Sequence, residues 1–228
     1  MISKQQLKIY LEKQVMHIKY CGIQTIEDFQ LAEAGLADYV GFIFYSKSKR
    51  YVTPEKVQAM KQSNFKIKKV GVFVNEAPSH VLETAVTADL QVIQCHGNES
   101  PEELIFYKNV GYEVWKALPH GPETLQAMER YKSVVDGYVI DSKVKEQFGG
   151  TGVAFDWSFI PTYINMARSY KKKCFIAGGI TDSNIDSLMY YQPDGIDLSS
   201  GIESEGKKDQ QKIKRIERKI LHDIQSSR

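Results

Sequence analysis

The residues best suited to chemistry in this sequence stand at the ends of short apolar runs, where buried strands would stop. They comprise a thiol, a guanidinium group, two carboxyl groups and two turns of small residues. In chain order they are Cys21, Arg50, Asp141, Gly178-Gly179, Asp197 and Ser200-Gly201. Proton transfer on a small anionic substrate needs an acid, a base and groups that bind anions. We therefore expect these residues to form the site of a small-molecule enzyme.

The two turns of small residues predict a phosphate site. A turn that lacks Cβ atoms lets backbone N–H groups approach an anion closely, and a following helix N-terminus adds its dipole. Gly178-Gly179 and Ser200-Gly201 stand in two successive turns near the C-terminal end of the chain. Glycines also make tight turns without any function, but two such turns in succession favour a phosphate cradle.

Cys21 and Asp141 are the candidates for general base and general acid. A thiolate can remove a proton from carbon when its pKa lies near the working pH. A carboxyl group can protonate a leaving oxygen when a semi-enclosed site raises its pKa. Cys21 can equally be a small buried hydrophobe, and Asp141 a helix cap or an ion-pair partner. The neighbouring Lys19 would lower the thiol pKa only if both side chains face the same side of the strand.

Two basic segments differ in their predicted roles: one could bind an anion, and the other is interpreted as a solvated surface. Arg50 ends a basic loop, and its planar guanidinium can hold a carboxylate, although a solvated loop is the alternative. The basic segment from Lys207 to Lys219 is interpreted as the solvated face of the last helix.

Cys95 and His96 are a further pair of residues that could bind zinc, but this interpretation is weaker than a role in a turn or at the edge of the substrate. With Cys21 as a third ligand, the spacing matches no familiar zinc pattern, and strands one and four of a barrel lie far apart. We expect no metal and interpret His96 as a turn or substrate-edge residue.

The elements that must position these residues alternate between strand and helix. Eight short apolar runs, of the kind seen in strands buried on both faces, lie near 17–21, 39–44, 69–74, 90–95, 113–118, 137–141, 174–177 and 195–201, the last with its turn. Thr53-Pro54-Glu55 and Ser100-Pro101-Glu102 each give an N-cap, a proline and an acid, which begin helices.

Eight strands alternating with eight helices predict an α/β fold, a single (β/α)8 TIM barrel. A doubly wound sheet is the alternative, but its phosphate site follows the first strand. Here the glycine-rich turns follow strands seven and eight, where barrels bind phosphate. The strand ends of a barrel converge on one face, so the candidate residues would share a site.

Composition narrows the class of protein. The 228 residues suffice for one barrel, and the 30 Lys and Arg nearly balance 28 Asp and Glu, which argues against nucleic-acid or membrane binding. No apolar run approaches the roughly 18 residues that cross a bilayer. Three dispersed cysteines suit a reducing cytoplasm. We assign residues 1–15 to an N-terminal extension, helical or disordered, and residues 16–228 to the barrel.

At these positions the sequence resembles the phosphoribosylanthranilate isomerase family of tryptophan-biosynthesis barrels, from about Met16 to the C-terminus. The motifs that carry the resemblance are Lys19-Tyr20-Cys21-Gly22-Ile23, Gly41-Phe42-Ile43-Phe44 with 46–50, 70–75, Gln94-Cys95-His96-Gly97, Ile140-Asp141, Gly149-Gly150-Thr151-Gly152 with 155–157, Ala177-Gly178-Gly179 and 197–203. The sequence departs from the family at Tyr20, at Cys95 and in the N-terminal extension. None of these departures removes a functional group.

The resemblance implies an Amadori rearrangement of N-(5-phosphoribosyl)anthranilate to 1-(2-carboxyphenylamino)-1-deoxyribulose 5-phosphate, without a cofactor. It implies that Asp141 protonates the furanose ring oxygen and that Cys21 removes the C2 proton. Arg50 would hold the anthranilate carboxylate, and the turns after strands seven and eight would hold the phosphate. Asp197 would bind a sugar hydroxyl or brace the site. The implied protein is cytoplasmic and is a monomer or a homodimer.

Three alternatives remain open at this point. A ribulose-phosphate epimerase needs a metal site of histidines and acids, and here only His96 lies at a strand end. The histidine-pathway aldosamine isomerase relies on two aspartates, which a cysteine after strand one disfavours. A barrel kept as a binding or scaffold subunit would have an inert acid–base pair.

Overall fold

Eight parallel strands close into a barrel in chain order, which confirms the predicted (β/α)8 architecture. The computed structural model describes residues 16–60, 67–142 and 156–226. The predictions for residues 1–15 and for the glycines at 149, 150 and 152 therefore lie outside the described residues. The barrel strands are β1 (His17–Cys21), β2 (Tyr39–Ile43), β3 (Lys68–Phe73), β4 (Val92–Cys95), β5 (Glu113–Pro119), β6 (Gly137–Asp141), β7 (Lys173–Ala177) and β8 (Gly195–Leu198).

Helices follow the strands and cover the outside of the barrel. They are α1 (Ile26–Ala34), α2 (Pro54–Ala59), α3 (Pro78–Thr87), α4 (Pro101–Asn109), α5 (Thr124–Tyr131), α6 (Ile160–Ser169), α7 (Ile185–Met189) and α8 (Gln210–Ser226). Short 3₁₀ turns cover Trp157–Phe159 and Ser200–Ile202. Across the described ranges, none of the helices has the length and apolar character needed to cross a membrane.

Local sequence accounts for most of the helix starts. Thr25 and Ser100 each accept a hydrogen bond from the backbone N–H three residues later, and the acid at that position bonds back to the cap. The N-cap residue of α7 makes no side-chain hydrogen bond to the start of the helix. The Asn184 side chain instead accepts from Thr181 N and donates to the Gly179 carbonyl, so residues 181–184 form a turn and the helix begins at Ile185.

Side chains inside the barrel form a separate core from those between the strands and the helices. Three aromatic rings close the floor, with ring centroids 4.8 Å apart for Tyr39 and Trp115 and 4.5 Å apart for Trp115 and Phe175. Because a strand alternates its side chains between its two faces, every second residue of β1 faces this interior. Lys19 and Cys21 point inward, whereas Tyr20 points outward and donates to Glu217 of α8.

A small antiparallel hairpin after β8 was not predicted. It consists of β9 (Glu203–Ser204) and β10 (Lys207–Lys208), which pair directly. The hairpin corrects the interpretation of 207–219 as a solvated basic face at one position, Lys208, which is 7% exposed and donates to the Cys21 carbonyl at 2.6 Å. Two such short, polar strands have no apolar pattern by which the hairpin could be recognised.

Candidate active site

One open cavity at the C-terminal ends of the strands brings the predicted residues together. It measures about 840 Å³ to its solvent-open mouth, which is the size of a small-molecule site. All the candidates line it: Cys21, Arg50, Asp141, Gly178, Gly179, Asp197, Ser200 and Gly201. The cavity lies at the C-terminal face of the barrel, where the active sites of barrel enzymes are found.

The thiol of Cys21 lies against a buried cation on its own strand. Lys19 Nζ donates to Asp197 Oδ2 at 2.8 Å, and the lysine side chain has no exposed surface. Both groups pass over Gly41 of β2: a Cβ atom there would lie 2.8 Å from Cys21 Sγ and 3.0 Å from Lys19 Nζ. The absence of a side chain at Gly41 therefore gives the thiol and the ammonium group their shared space.

Burial and charge act in opposite directions on the Cys21 thiol. Burial raises the pKa of Cys21 above its ordinary value, and the ammonium group of Lys19 opposes that rise without cancelling it. Burial likewise tends to lower the pKa of Lys19, but Asp197 and Cys21 together raise it. At neutral pH the site thus holds a protonated thiol beside a charged lysine.

Arg50 enters the site as half of a buried ion pair. Its Nε donates to Glu203 Oε1 at 2.8 Å and its Nη2 to Glu203 Oε2 at 2.7 Å. Lys208 Nζ reaches Glu203 Oε1 at 2.7 Å, so two cations share one carboxylate. Burial tends to raise the pKa of Glu203, but these hydrogen bonds and charges lower it to about 2. Arg50 is therefore not part of a solvated loop, and its pair with Glu203 uses Nε and Nη2 but not Nη1.

Asp141 stands at the end of β6 and is 7% exposed. Its Oδ2 lies 3.5 Å from His96 Nε2, a histidine that also lines the cavity from the loop after β4. Its backbone carbonyl accepts from His120 N at 2.8 Å, which fixes the strand end. The carboxyl group thus faces the same cavity as Cys21, from the opposite part of the barrel wall.

The turns after β7 and β8 pack directly against each other. Gly178 and Gly179 have φ values of +84° and +66°, a conformation that disfavours side chains. A Cβ atom on Gly201 would lie 1.8 Å from the Ile180 carbonyl oxygen, so only glycine allows the two turns to touch. Together with Ser200 they line one edge of the cavity.

Two buried oxygen atoms of cavity-lining residues lack hydrogen-bond partners among the described residues. They are Asp197 Oδ1 on β8 and Gln94 Oε1 on β4. Because a buried acceptor without a donor costs about 1–3 kcal/mol, such atoms mark places where a ligand can supply a donor. No group of three or more histidine, cysteine or acidic side chains in the described ranges can hold a metal ion.

Four residues that shape this site were not among the predicted site residues: Lys19, which had only a conditional effect on the Cys21 pKa, and Gln94, Glu203 and Lys208, which had no site role. Lys19 and Gln94 sit at inward positions of buried strands, so their alternation with apolar residues was the available signal. Glu203 belonged to a recognised motif but carried no role there. Lys208 lay in a charge run without a distinguishing pattern.

A family profile and a sequence relative both match this chain over most of its length. The profile of the family described as N-(5'-phosphoribosyl)anthranilate (PRA) isomerase matches residues 18–219. An N-(5'-phosphoribosyl)anthranilate isomerase of Priestia megaterium is 56% identical over 208 residues, which cover 90% of this chain and 100% of that protein.

Solved structures agree with the sequence comparison. Phosphoribosyl anthranilate isomerase of Thermotoga maritima has a TM-score of 0.78 and 33% identity, covering 88% of this chain and 96% of that one. A phosphoribosyl anthranilate isomerase in complex with reduced 1-(o-carboxyphenylamino)-1-deoxyribulose 5-phosphate has a TM-score of 0.74 and 31% identity, covering 92% and 99%.

Proposed function

Because this chain belongs to the N-(5'-phosphoribosyl)anthranilate isomerase family, we propose that Cys21 and Asp141 carry out its acid–base chemistry. The chain is an isomerase of tryptophan biosynthesis, and the family reaction is an Amadori rearrangement of an aminosugar phosphate. What remains to be assigned is the part that each side chain plays.

Asp141 acts first, as the general acid. Its carboxyl proton passes to the furanose ring oxygen, the bond from that oxygen to C1 breaks, and the nitrogen lone pair forms a C1=N bond. The position of Asp141 supports this role, because its carboxyl group lines the same cavity as Cys21. The backbone contact to His120 N keeps the acid at the cavity.

Cys21 acts second, as the general base. The thiolate removes the proton from C2, and the electron pair moves through C1 to the nitrogen, which gives an enolamine. Return of a proton to C1 and loss of the proton on the C2 hydroxyl give the ketone and restore both enzyme groups. Lys19 supports this role because its charge stabilises the thiolate relative to the thiol.

The cavity walls match the three parts of the substrate. Ile43, Val72 and Val74 give an apolar surface on the β2–β3 side, which suits an aromatic ring. Arg50 borders it and offers Nη1 to a carboxylate. The cradle of the β7 and β8 turns suits the phosphate. Asp197 Oδ1, a buried acceptor without a partner among the described residues, suits a sugar hydroxyl.

The observation that carries these assignments is that Cys21 and Asp141 line the same cavity as the glycine cradle. We expect Cys21→Ser and Asp141→Asn each to lower kcat by at least about 10²-fold, since each removes a general acid or base. Asp182→Asn, which changes a half-buried acid that does not line the cavity, is the matched control. Steady-state turnover near the wild-type value in either variant would overturn the role of that residue.

Growth of a tryptophan auxotroph tests the reaction itself. The auxotroph lacks this isomerase, and we expect the wild-type chain to restore growth without tryptophan while the Cys21→Ser and Asp141→Asn variants do not. Failure by a folded, expressed wild-type chain would refute the proposed reaction.

We further propose that the enzyme works in the cytoplasm as a monomer or a homodimer. All three cysteines are free, which suits a reducing compartment. Every group assigned above comes from one chain, so a monomer can supply a complete site. Cell fractionation and sedimentation of the purified protein test the two proposals.

A further inference from the structure

Gln94 is a buried polar residue for which the mechanism above has no use. It points into the barrel from β4 and is 1% exposed, and its Oε1 has no hydrogen-bond partner among the described residues. Its neighbours in register are Val72 of β3 and Trp115 of β5. Valine offers no donor, and the indole N–H of Trp115 donates to Glu113 at the barrel floor.

A buried amide whose oxygen lacks a hydrogen-bond partner is costly, so its position needs a physical reason. Leaving one acceptor unpaired costs about 1–3 kcal/mol, and an apolar side chain of similar shape would avoid that loss. Gln94 lines the cavity between the apolar wall of Val72 and Val74 and the acid of β6. The terminal torsion of glutamine is broad, so its carbonyl oxygen can turn to a ligand at low cost.

A substrate bound as proposed above would have one polar group at the junction that Gln94 faces. The apolar wall suits the aromatic ring, and Asp141 must reach the sugar ring oxygen. The amino nitrogen is the atom that joins the aromatic ring to C1 of the sugar. It carries a hydrogen before and after ring opening.

We infer that Gln94 is a further catalytic residue whose amide oxygen accepts a hydrogen bond from the amino N–H of the substrate. This inference rests on the proposed function of the same cavity. When Asp141 protonates the ring oxygen and the C1–O bond breaks, the nitrogen gains positive charge and keeps its hydrogen. The hydrogen bond to Gln94 therefore strengthens as the ring opens, which lowers the barrier.

The neutrality of the amide matters for the second step. Removal of the C2 proton by Cys21 is easiest while the C1=N group is protonated, because that group then accepts the electron pair. A carboxylate at position 94 would compete for the nitrogen proton. An amide oxygen stabilises the charged form without taking the proton.

Gln94→Met tests the inference, because methionine is apolar and close in length. We expect kcat to fall about 10- to 100-fold, the loss expected when a hydrogen bond to a charged group is removed, with KM changed by less than about 3-fold. The melting temperature should stay the same or rise, because an unpaired buried acceptor has been removed. Gln91→Met, in the segment just before β4 and outside the cavity, is the control and should keep wild-type kinetics.

Three results would overturn the inference. The first is a wild-type kcat in Gln94→Met, and the second is a loss confined to KM. The third is a lower melting temperature with lost activity in both Gln94→Met and Gln94→Leu, which would make the residue structural. If the wild-type chain itself lacks turnover, the proposed function fails instead, so the two failures are distinguishable.

Discussion

At the residue scale, the central feature is a thiol whose surroundings both suppress and support its ionisation. Cys21 is 7% exposed, and burial raises its pKa above the ordinary value. Lys19 and Lys208 lie close enough to oppose that effect. At neutral pH the base is therefore a minor thiolate fraction of Cys21, next to a cation that stabilises it.

The ionisation of Cys21 is measurable by alkylation with iodoacetamide. Because only the thiolate reacts and the pKa is raised, we expect labelling of Cys21 to be slow at about pH 7 and to keep increasing past about pH 9. Mass spectrometry of the Cys21 peptide gives the rate at each pH. Cys95 and Cys174 are at most 1% exposed and should remain unlabelled in the folded protein, which makes them internal controls.

Lys19→Met separates the contribution of charge from that of burial. Methionine keeps much of the side-chain volume but removes the cation that opposes the rise in pKa, so the labelling midpoint of Cys21 should move to still higher pH. The same labelling series measures this shift. A rate that levels off below about pH 8 in the wild type would contradict a raised thiol pKa. An unchanged midpoint in Lys19→Met would show that the lysine does not stabilise the thiolate.

At the element scale, the hairpin of β9 and β10 is what fixes the cationic side of the site. It places Glu203 between Arg50 and Lys208, and it places Lys208 against the carbonyl of Cys21. A two-residue strand contributes little to the barrel core. Its contribution is the position of one carboxylate that holds two buried cations.

Loss of the Glu203 carboxylate should destabilise the protein strongly. Glu203→Gln leaves Arg50 and Lys208 as buried cations without their counter-ion, for which the expected loss is about 3–5 kcal/mol of unfolding free energy at neutral pH. Denaturant unfolding measures the loss. Asp182→Asn breaks an exposed pair with Arg215 and should cost less than about 1 kcal/mol. Equal stability of Glu203→Gln and the wild type would refute this role.

The same carboxylate predicts an acid-sensitive stability. Its pKa of about 2 lies below the ordinary 4.5, so the folded state binds this proton less readily than the unfolded chain. The stabilisation, about 3 kcal/mol, is complete above pH 4.5 and disappears as the pH falls towards 2. The difference in unfolding free energy between the wild type and Glu203→Gln should therefore decrease as the pH falls below 4.5. A difference that stays constant with pH would contradict the lowered pKa of Glu203.

The elements that were predictable from sequence were those with a repeated pattern. Apolar runs located all eight strands, and cap–proline–acid signatures located α2 and α4 at their first residues. The hairpin was not predicted, because two-residue strands are too short to show a periodic pattern. The ion pair of Arg50 was not predicted either, because Glu203 lies 153 positions away and only barrel closure brings the two side chains together.

Orientation within a strand was predictable only in part. The period of two allowed Lys19 and Cys21 to share a face, but the sequence left both that orientation and the distance between the two side chains open. The absence of a side chain at Gly41 settles that distance, and Gly41 is on a different strand. Lys208, likewise, became a site residue through the hairpin rather than through any local signal.

At the scale of the whole molecule, closure of the barrel is what makes a site from residues that span most of the chain. Cys21 and Asp197 come from its two ends and meet because β1 pairs with β8, with Lys19 opposite Asp197 in register. The ion pair of Lys19 and Asp197 joins the first strand to the last inside the barrel. Closure and assembly of the site are therefore the same structural event.

Because closure begins at β1, the residues before it should be dispensable for the barrel. A chain that starts at Met16 retains all eight strands, and the family profile begins at residue 18. We expect removal of residues 1–15 to leave kcat, KM and the unfolding midpoint unchanged. A deletion to residue 24 is the contrasting variant: it removes β1, opens the sheet on both of its neighbours and should abolish folding. If the chain starting at Met16 also fails to fold, the extension is part of the structural core, and the barrel assigned to 16–228 is too short.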